Sequence, residues 1–336
     1  MKNILFLFGG QSNEHTVSIQ SAYSVLQNIP KSYSVIPVYI STDGYWYKSN
    51  SNLSINYDVS HFNIPTELTY TEGRVLLDGE TIDILFPLIH GQNGEDGTIQ
   101  GFARIYNLPI VGPDFNTAFI TYDKDITKNL LEKAGIQTAP YVTINSNMIP
   151  VFESISYQLG LPFFIKPARS GSSVGVSKVA HKEQFLPAVE LALNEDSKVL
   201  IEQGMVGREI EIAVFIKKNG DRIISSSIAE VKPDTDKFYS FDEKYLSGSS
   251  TQVNSNASFS DIEKGEIYNT VNQVLDVLDL RGTARIDCFL LADGRVILNE
   301  INTIPGFTAI SMYPKLFENS GISFSELLTL MIEESS

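Results

Sequence analysis

The chain has one cysteine in 336 residues, Cys288, so no intramolecular disulfide can form, which fits a reducing compartment. Cys288 directly follows Asp287 on an expected strand and points to the opposite face, as a buried structural thiol rather than a nucleophile. Long apolar runs are also missing. The opening MKNILFLFGG briefly imitates a signal peptide, but residues 4–8 are too short for an h-region, and nothing approaches transmembrane length. Positive charge is scarce: 25 Lys and Arg stand against 40 Asp and Glu, a net charge of −15. That argues against nucleic acid or an anionic membrane as partner, while leaving room for a local basic pocket around a phosphorylated ligand. Neither GxxxxGK[ST] nor GxGxxG occurs, which speaks against a P-loop and a dinucleotide fingerprint. No repeat or low-complexity tract stands out. The expectation is a cytoplasmic globular protein.

Hydrophobic residues make up 43% of the chain, enough for a sizeable core, and the length points to two or three domains. Residues 4–8 and 35–40 read as strands flanking a helix over 16–28, a parallel βαβ unit. Residues 49–73 are polar and weakly periodic, and read as loop or irregular insert. A buried-type strand over 82–89 ends at His90-Gly91, followed by a helix over 98–106 and a strand over 108–111. Ligands of open α/β sheets bind beyond the carboxyl ends of strands, where Gly9-Gly10 and His90-Gly91 lie. The pattern then gives a helix over 121–134, strands at 163–166, 176–179 and 199–202, and a helix over 182–194. Antiparallel strands follow at 210–216 and 222–228. The last third holds a charged, aromatic loop at 234–250, a helix over 261–278, two strands and a terminal helix from Ser323. The expected class is α/β with α+β character.

Residues 299–308, NEINTIPGFT, put a carboxylate between two amides at the end of the apolar run Val296-Ile297-Leu298. Buried carboxylates need a partner or a metal. The strands 283–290 and 295–302 flank Asp293-Gly294, a two-residue hairpin signal. That register sets Ala292 opposite Arg295, Asp287 opposite Glu300 and Arg285 opposite Asn302, all four polar residues of the latter pairs on one face. Opposed carboxylates repel, and a hard divalent cation such as Mg²⁺ beside phosphates removes the objection. A structural Arg285–Asp287–Glu300 ion network is the other reading, and these residues alone leave both open. In FIKPARSGSSVGVSKV, a Gly/Ser loop can wrap phosphates with backbone N–H groups, with Lys166 adding a charge. Surface hairpins use the same residue types.

Six segments, FGGQSNEHTVS, HGQNGEDGTIQG, KPARSGSSVGVSKV, EKYLS, ARIDCF and NEINTIPGFTAISMYP, occur in an order that resembles the D-alanine–D-alanine ligase family of ATP-grasp enzymes. The resemblance runs almost end to end. It implies three domains, drawn here at 1–113, 114–205 and 206–336, with an ATP cleft between the second and third. It assigns Lys124, Lys166, Ser173 and Lys244 to the nucleotide, Glu202 to the adenine edge and Glu209 to the ribose. Asp287, Glu300 and Asn302 would hold Mg²⁺, with Mn²⁺ as a substitute. Glu14 would meet the first D-alanine's ammonium and form a hydrogen-bonded set with Ser172 and Tyr245; as a helix N-terminal residue it also suits the dipole. His90 would lie near the first substrate, although a His-Gly at a strand end is by itself more often solvated. Arg285 and the Gly306 N–H would stabilise the oxyanion, and Ser311 and Met312 would face the second substrate. His15, His61 and His181 read as ordinary exposed residues.

The same resemblance makes 234–250 a closing lid and the assembly a homodimer. Lys244-Tyr245 and Met312 match the pattern that uses D-alanine rather than D-lactate or D-serine second. Tyr122-Asp123-Lys124 departs from the usual Met-Asp-Lys, and Asn254-Ser255-Asn256-Ala257 from the usual Pro-Ala after the lid; neither removes a ligand. A non-catalytic nucleotide-binding regulator is the alternative of another class. It predicts a lost metal ligand or a lost Arg285, and all are present.

Overall fold

The computed structural model describes residues 1–49, 58–232, 252–308 and 310–335. The N-terminal third builds β1 (Asn3–Gly9), β2 (Ser34–Ile40), β3 (Trp46–Ser49), β4 (Phe62–Pro65), β5 (Leu68–Thr71), β6 (Arg74–Leu77), β7 (Glu80–Thr81) and β8 (Ile84–Leu88). The order β4-β3-β2-β1-β8 makes one sheet, with β1 parallel to both neighbours, and β5-β6-β7 a small second one. Ile4, Phe6 and Phe8 face one core while Leu5 and Leu7 face another, which is why β1 is continuously apolar. The helix His15–Asn28 supplies Ala22 and Val25 to the first core. That core reaches across to Phe307, Tyr313, Phe317 and Leu328 from the end of the chain, so the first and last thirds share one interior.

The middle third forms the antiparallel sheet β11-β10-β12-β9 from β9 (Tyr141–Asn145), β10 (Phe163–Pro167), β11 (Ser177–Val179) and β12 (Lys198–Gln203). Phe163, Ile165, Val199 and Ile201 pack against Phe185, Val189 and Ala192 of the helix Phe185–Glu195. The last sheet runs β16-β15-β13-β17-β18, with β14 on β13. Its strands are β13 (Arg208–Ile216), β14 (Arg222–Ile224), β15 (Ala229–Lys232), β16 (Gln252–Asn254), β17 (Gly282–Leu290) and β18 (Val296–Asn302). Ile210, Ile212, Ile286, Cys288 and Leu298 bury one face against Ile267, Val271 and Val274 of the helix Asp261–Leu278. The opposite face carries the polar residues. Cys288 is fully buried, and burial pushes its thiol pKa far up, as befits a structural residue.

Several expectations are corrected. Where 49–73 reads as irregular, the described part contains β4 and β5. Residues 108–111 form no strand; Ile110 makes a single parallel bridge to Leu85. The single helix over 121–134 is two, Phe115–Tyr122 and Lys124–Lys133, broken at extended Asp123. The Asp123 carboxylate accepts the Asp125 and Ile126 N–H groups, a cap that starts the second helix at Lys124. His15 is half-buried, its ring between Gly10 O and the Tyr39 hydroxyl.

Candidate active site

The β17–β18 hairpin reaches the expected register by another route. The loop has three residues, Ala292, Asp293 and Gly294, closed by Leu291 N–H donating to Arg295 O at 2.9 Å, with Gly294 at φ +89°. The one-residue shift is undone at Asn299, which bulges out: Cys288 pairs with Leu298, yet Asp287 pairs with Glu300 and Arg285 with Asn302. Arg285 forks onto Asp287, Nε to Oδ1 at 2.8 Å and the second terminal nitrogen to Oδ2 at 2.7 Å. The Asn302 amide donates to the same Oδ2 at 2.9 Å. Glu211, register partner of Asp287 on β13, brings its carboxylate within 3.5 Å of Arg285. Sequence reading omits this residue.

Asp287 is only 4% exposed. Burial pushes its pKa up to about 7; Arg285 opposes this, and the carboxylates of Glu211 and Glu300 add to it. Three carboxylates thus share a face with one guanidinium, and a divalent cation would relieve that excess. The hard oxygens of Asp287, Glu300 and Asn302 fit Mg²⁺. Among the described residues no three His, Cys, Asp or Glu side chains form a ready-made cage, so a phosphate would complete the coordination, as Mg²⁺ commonly requires.

Lys124, first residue of its helix, donates to Ser170 O at 2.6 Å and lies 4.0 Å from Glu300. Burial drives its pKa down, Glu300 opposes and Lys166 adds to the fall, so the two ammoniums feel each other. Lys166 on β10 contacts Glu202 Oε2 at 2.7 Å. Lys128, unnoticed in the sequence, contacts Glu202 Oε1 at 3.1 Å. Glu209 lies on β13, where its backbone pairs with Val231 and Phe289. Lys124, Ser170, Gly171, Glu95, Glu300 and Asn302, drawn from the neighbourhoods of the three larger sheets, line one narrow cavity of about 20 Å³.

The Gly/Ser loop after β10 closes over the first third of the chain. Ser172 and Ser173 adopt left-handed φ of +49° and +61°. The Ser172 hydroxyl donates to Glu14 Oε1. Glu14 stands at the N-terminus of the helix His15–Asn28, but its side chain makes no cap bond and reaches this loop instead. A Cβ on Gly171 would come within 2.7 Å of Glu14 Oε2 and would push the Glu14 carboxylate away from its place against the loop. The loop's start is fixed by Asp196, whose Oδ2 accepts the Arg169 backbone N–H at 2.9 Å and Nε at 3.1 Å.

His90 is buried rather than solvated. Its Nδ1 is 2.9 Å from Ile304 O, its Nε2 3.3 Å from the Ser21 hydroxyl, and Glu95 is 3.6 Å away. Burial alone would depress its pKa; Glu95 and Glu14 outweigh that and raise it. Ser21 also accepts the Phe307 N–H at 3.1 Å, so helix, histidine and the segment 303–308 are tied together. Within that segment a Cβ on Gly306 would meet Ser311 Oγ at 2.7 Å. Ser311 precedes the helix Met312–Asn319, and its Oγ accepts the Thr308 N–H at 3.0 Å. Met312 is half-buried against the shared core. Lys244 and Tyr245, with the expected lid, lie outside the described residues. The sequence reading omits Glu95 as well, although the segment HGQNGEDG offered its signal; Ser21, Lys128, Asp196 and Glu211 carry no local signal.

The "D-ala D-ala ligase N-terminus" family model matches residues 3–113 and the "D-ala D-ala ligase C-terminus" model residues 130–333. D-alanine–D-alanine ligase A of Escherichia coli K12 is 41% identical, over 97% of this chain and 93% of its own length. Among solved structures, the VanG D-Ala:D-Ser ligase of Enterococcus faecalis superposes with a TM-score of 0.87 at 32% identity, covering 99% of this chain and 98% of that one. The D-alanine–D-alanine ligase of Coxiella burnetii gives 0.87 at 29%, covering 99% and 93%. With both halves matched and the site assembled as described, the chain belongs to the D-alanine–D-alanine ligase family and has its ATP-grasp fold.

Proposed function

We infer that the chain joins two D-alanines in an ATP-dependent reaction through a D-alanyl phosphate, and so supplies a peptidoglycan precursor. The observation that carries this reading is the meeting of two unlike sites. An oxygen-rich face (Asp287, Glu300, Asn302) lies beside Lys124, and a Glu14–Ser172 pair lies against the adjoining loop. One end suits a nucleotide's phosphates, the other an amino acid's ammonium.

A carboxylate oxygen of the first D-alanine attacks the γ-phosphorus, and ADP leaves. Glu14 orients that substrate by its ammonium, and His90, whose ring nitrogens are held by Ile304 O and the Ser21 hydroxyl, lies near its carboxylate and acts by charge rather than by a hydrogen bond. Lys124, Lys166, Lys244 and the loop with Ser173 hold the phosphates, Glu209 the ribose, and Glu202 lies at the adenine edge. Asp287, Glu300 and Asn302 would hold Mg²⁺, or Mn²⁺, which would supply charge neutralisation for the transferring phosphoryl group. The second D-alanine's amine then attacks the acyl carbon, loses a proton and displaces phosphate. Arg285 and the Gly306 N–H bear the oxyanion, a type of contact worth about 10²–10³ in rate. Water would destroy the acyl phosphate, which gives Tyr245 and the lid their purpose.

Ser311 receives the second substrate's carboxylate and Met312 its methyl group. The apolar Met312 favours D-alanine over D-serine or D-lactate in that place. We place the three units at 1–113, 114–205 and 206–336, the protein in the cytoplasm and the assembly as a homodimer. No helix among the described residues is long and apolar enough to cross a membrane. The test is phosphate release with D-alanine, D-serine or D-lactate as second substrate, with products weighed by mass spectrometry. D-Alanyl-D-alanine as main product is expected; a dominant depsipeptide or D-alanyl-D-serine would overturn the specificity.

A further inference from the structure

Lys128 is a lysine where packing asks for none. It is 1% exposed, on the buried side of the helix Lys124–Lys133, one turn after Lys124. An ammonium is costly to bury, and a methionine would fill the same space. Its Nζ donates to Ala139 O at 3.1 Å, stands 5.1 Å above the Tyr141 ring and contacts Glu202 Oε1 at 3.1 Å. Glu202 gives its other oxygen to Lys166 at 2.7 Å. One carboxylate therefore serves two buried lysines; burial drives the Lys128 pKa down, Glu202 opposes the fall, and with both lysines charged the triad keeps one positive charge in excess.

We propose that Lys128 is a positioning residue for the nucleotide: by sharing Glu202 it leaves the charge of Lys166 available to the phosphates of ATP. Burial opposes ionisation of Glu202, yet Lys166 and Lys128 together hold its pKa below the usual range, so the carboxylate stays charged. Without Lys128, Glu202 and Lys166 would close into a neutral pair. An incoming polyanion would then meet no net charge there and would have to compete with Glu202 for the same ammonium. With Lys128 in place Glu202 is half-committed, and Lys166 retains N–H donors and field for a ligand.

The inference rests on the assignment of Lys166 to ATP, so the test separates the two. Binding of Mg²⁺ with a non-hydrolysable ATP analogue is measured calorimetrically on the full chain for wild type, K166M, K128M, E202Q and K128M/E202Q. K166M should weaken binding by at least about tenfold; unchanged binding would remove the assignment itself. K128M should weaken it about tenfold with little change in the D-alanine KM. K128M/E202Q should bind within about threefold of E202Q alone, because Lys128 acts through Glu202 and any direct part of Glu202 at the adenine edge cancels in that comparison. A merely structural role predicts the reverse, the same loss of about tenfold from K128M in the E202Q background as in wild type. That result, or a K128M affinity equal to wild type, would overturn the proposal. K128M leaves no orphan charge and is expected to fold; K128Q, which keeps a donor for Ala139 O, repeats the test should K128M not fold.

Discussion

Asp287 faces Glu300 across β17 and β18 because Asn299 is surplus to the ladder between them. A three-residue loop shifts the strands by one, and the bulge shifts them back. Since side chains alternate, a single uncorrected step would turn Glu300 toward the buried Ile286 side. Exchanging the two residues, Asn299→Glu with Glu300→Asn, moves the carboxylate into the bulge and should therefore abolish metal-dependent ADP formation, whereas Asn299→Ala, which keeps Glu300 opposite Asp287, should retain activity within about tenfold. Steady-state rates for the two variants decide it; an active exchange variant would contradict the role given to the register.

The Ser21 hydroxyl joins His90 to the Phe307 N–H in a fully buried place. Removing it leaves an amide without its acceptor, typically worth about 1–3 kcal/mol. Ser21→Ala should lower kcat about tenfold or more, through the Gly306 segment, with a smaller effect on ATP binding. Equal losses in every parameter would point to general destabilisation instead.

Glu95 should set the pH range of the first half-reaction. Burial works against a charged His90, and Glu95, with Glu14 and the Ile304 carbonyl, reverses that and raises its pKa. The ring therefore stays protonated to higher pH than an ordinary histidine. Glu95→Gln removes part of what opposes burial, and the alkaline limb of kcat/KM for D-alanine should move to lower pH. An unmoved limb would separate His90 from the substrate carboxylate.

Asp196 anchors the start of the Gly/Ser loop and confers a pH-dependent share of stability. Burial would raise its carboxyl, but Arg169 and the backbone N–H groups of Lys198 and Arg169 hold it below the ordinary range. A depressed carboxylate stabilises fully above the unfolded-state value and loses that contribution as pH falls through the folded one. Asp196→Asn should cost about 1–2 kcal/mol near pH 7, a modest figure because Arg169 is 43% exposed. The gap from wild type should close in acid, as melting curves from pH 7 to 3 would record. It should also raise the KM for ATP.

The polar face of β17 and β18 was legible because alternation and a Gly-containing turn are local. The predicted pairing of Asp287 with Glu300 nevertheless rested on a two-residue turn that does not form, and two opposite shifts preserved the outcome. Strand β9 was missed because Tyr141–Asn145 is half exposed and lacks clean alternation. Lys128, Glu211, Ser21 and Asp196 could not be found in advance. Each matters only through a partner brought near by tertiary packing, 74 residues away for Lys128 with Glu202 (202 − 128) and 286 for Ser21 with Phe307. Lys128 in particular reads as one more charge on an amphipathic helix until its burial is known.

The account turns on carboxyl activation by phosphoryl transfer. The most direct measurement supplies D-alanine labelled with ¹⁸O in its carboxylate, together with ATP and Mg²⁺, and follows the isotope in the released phosphate. The account predicts one labelled oxygen in each phosphate formed with dipeptide, and none when D-alanine's oxygen is unlabelled. Dipeptide accompanied by unlabelled phosphate from labelled substrate would contradict an acyl phosphate on the path.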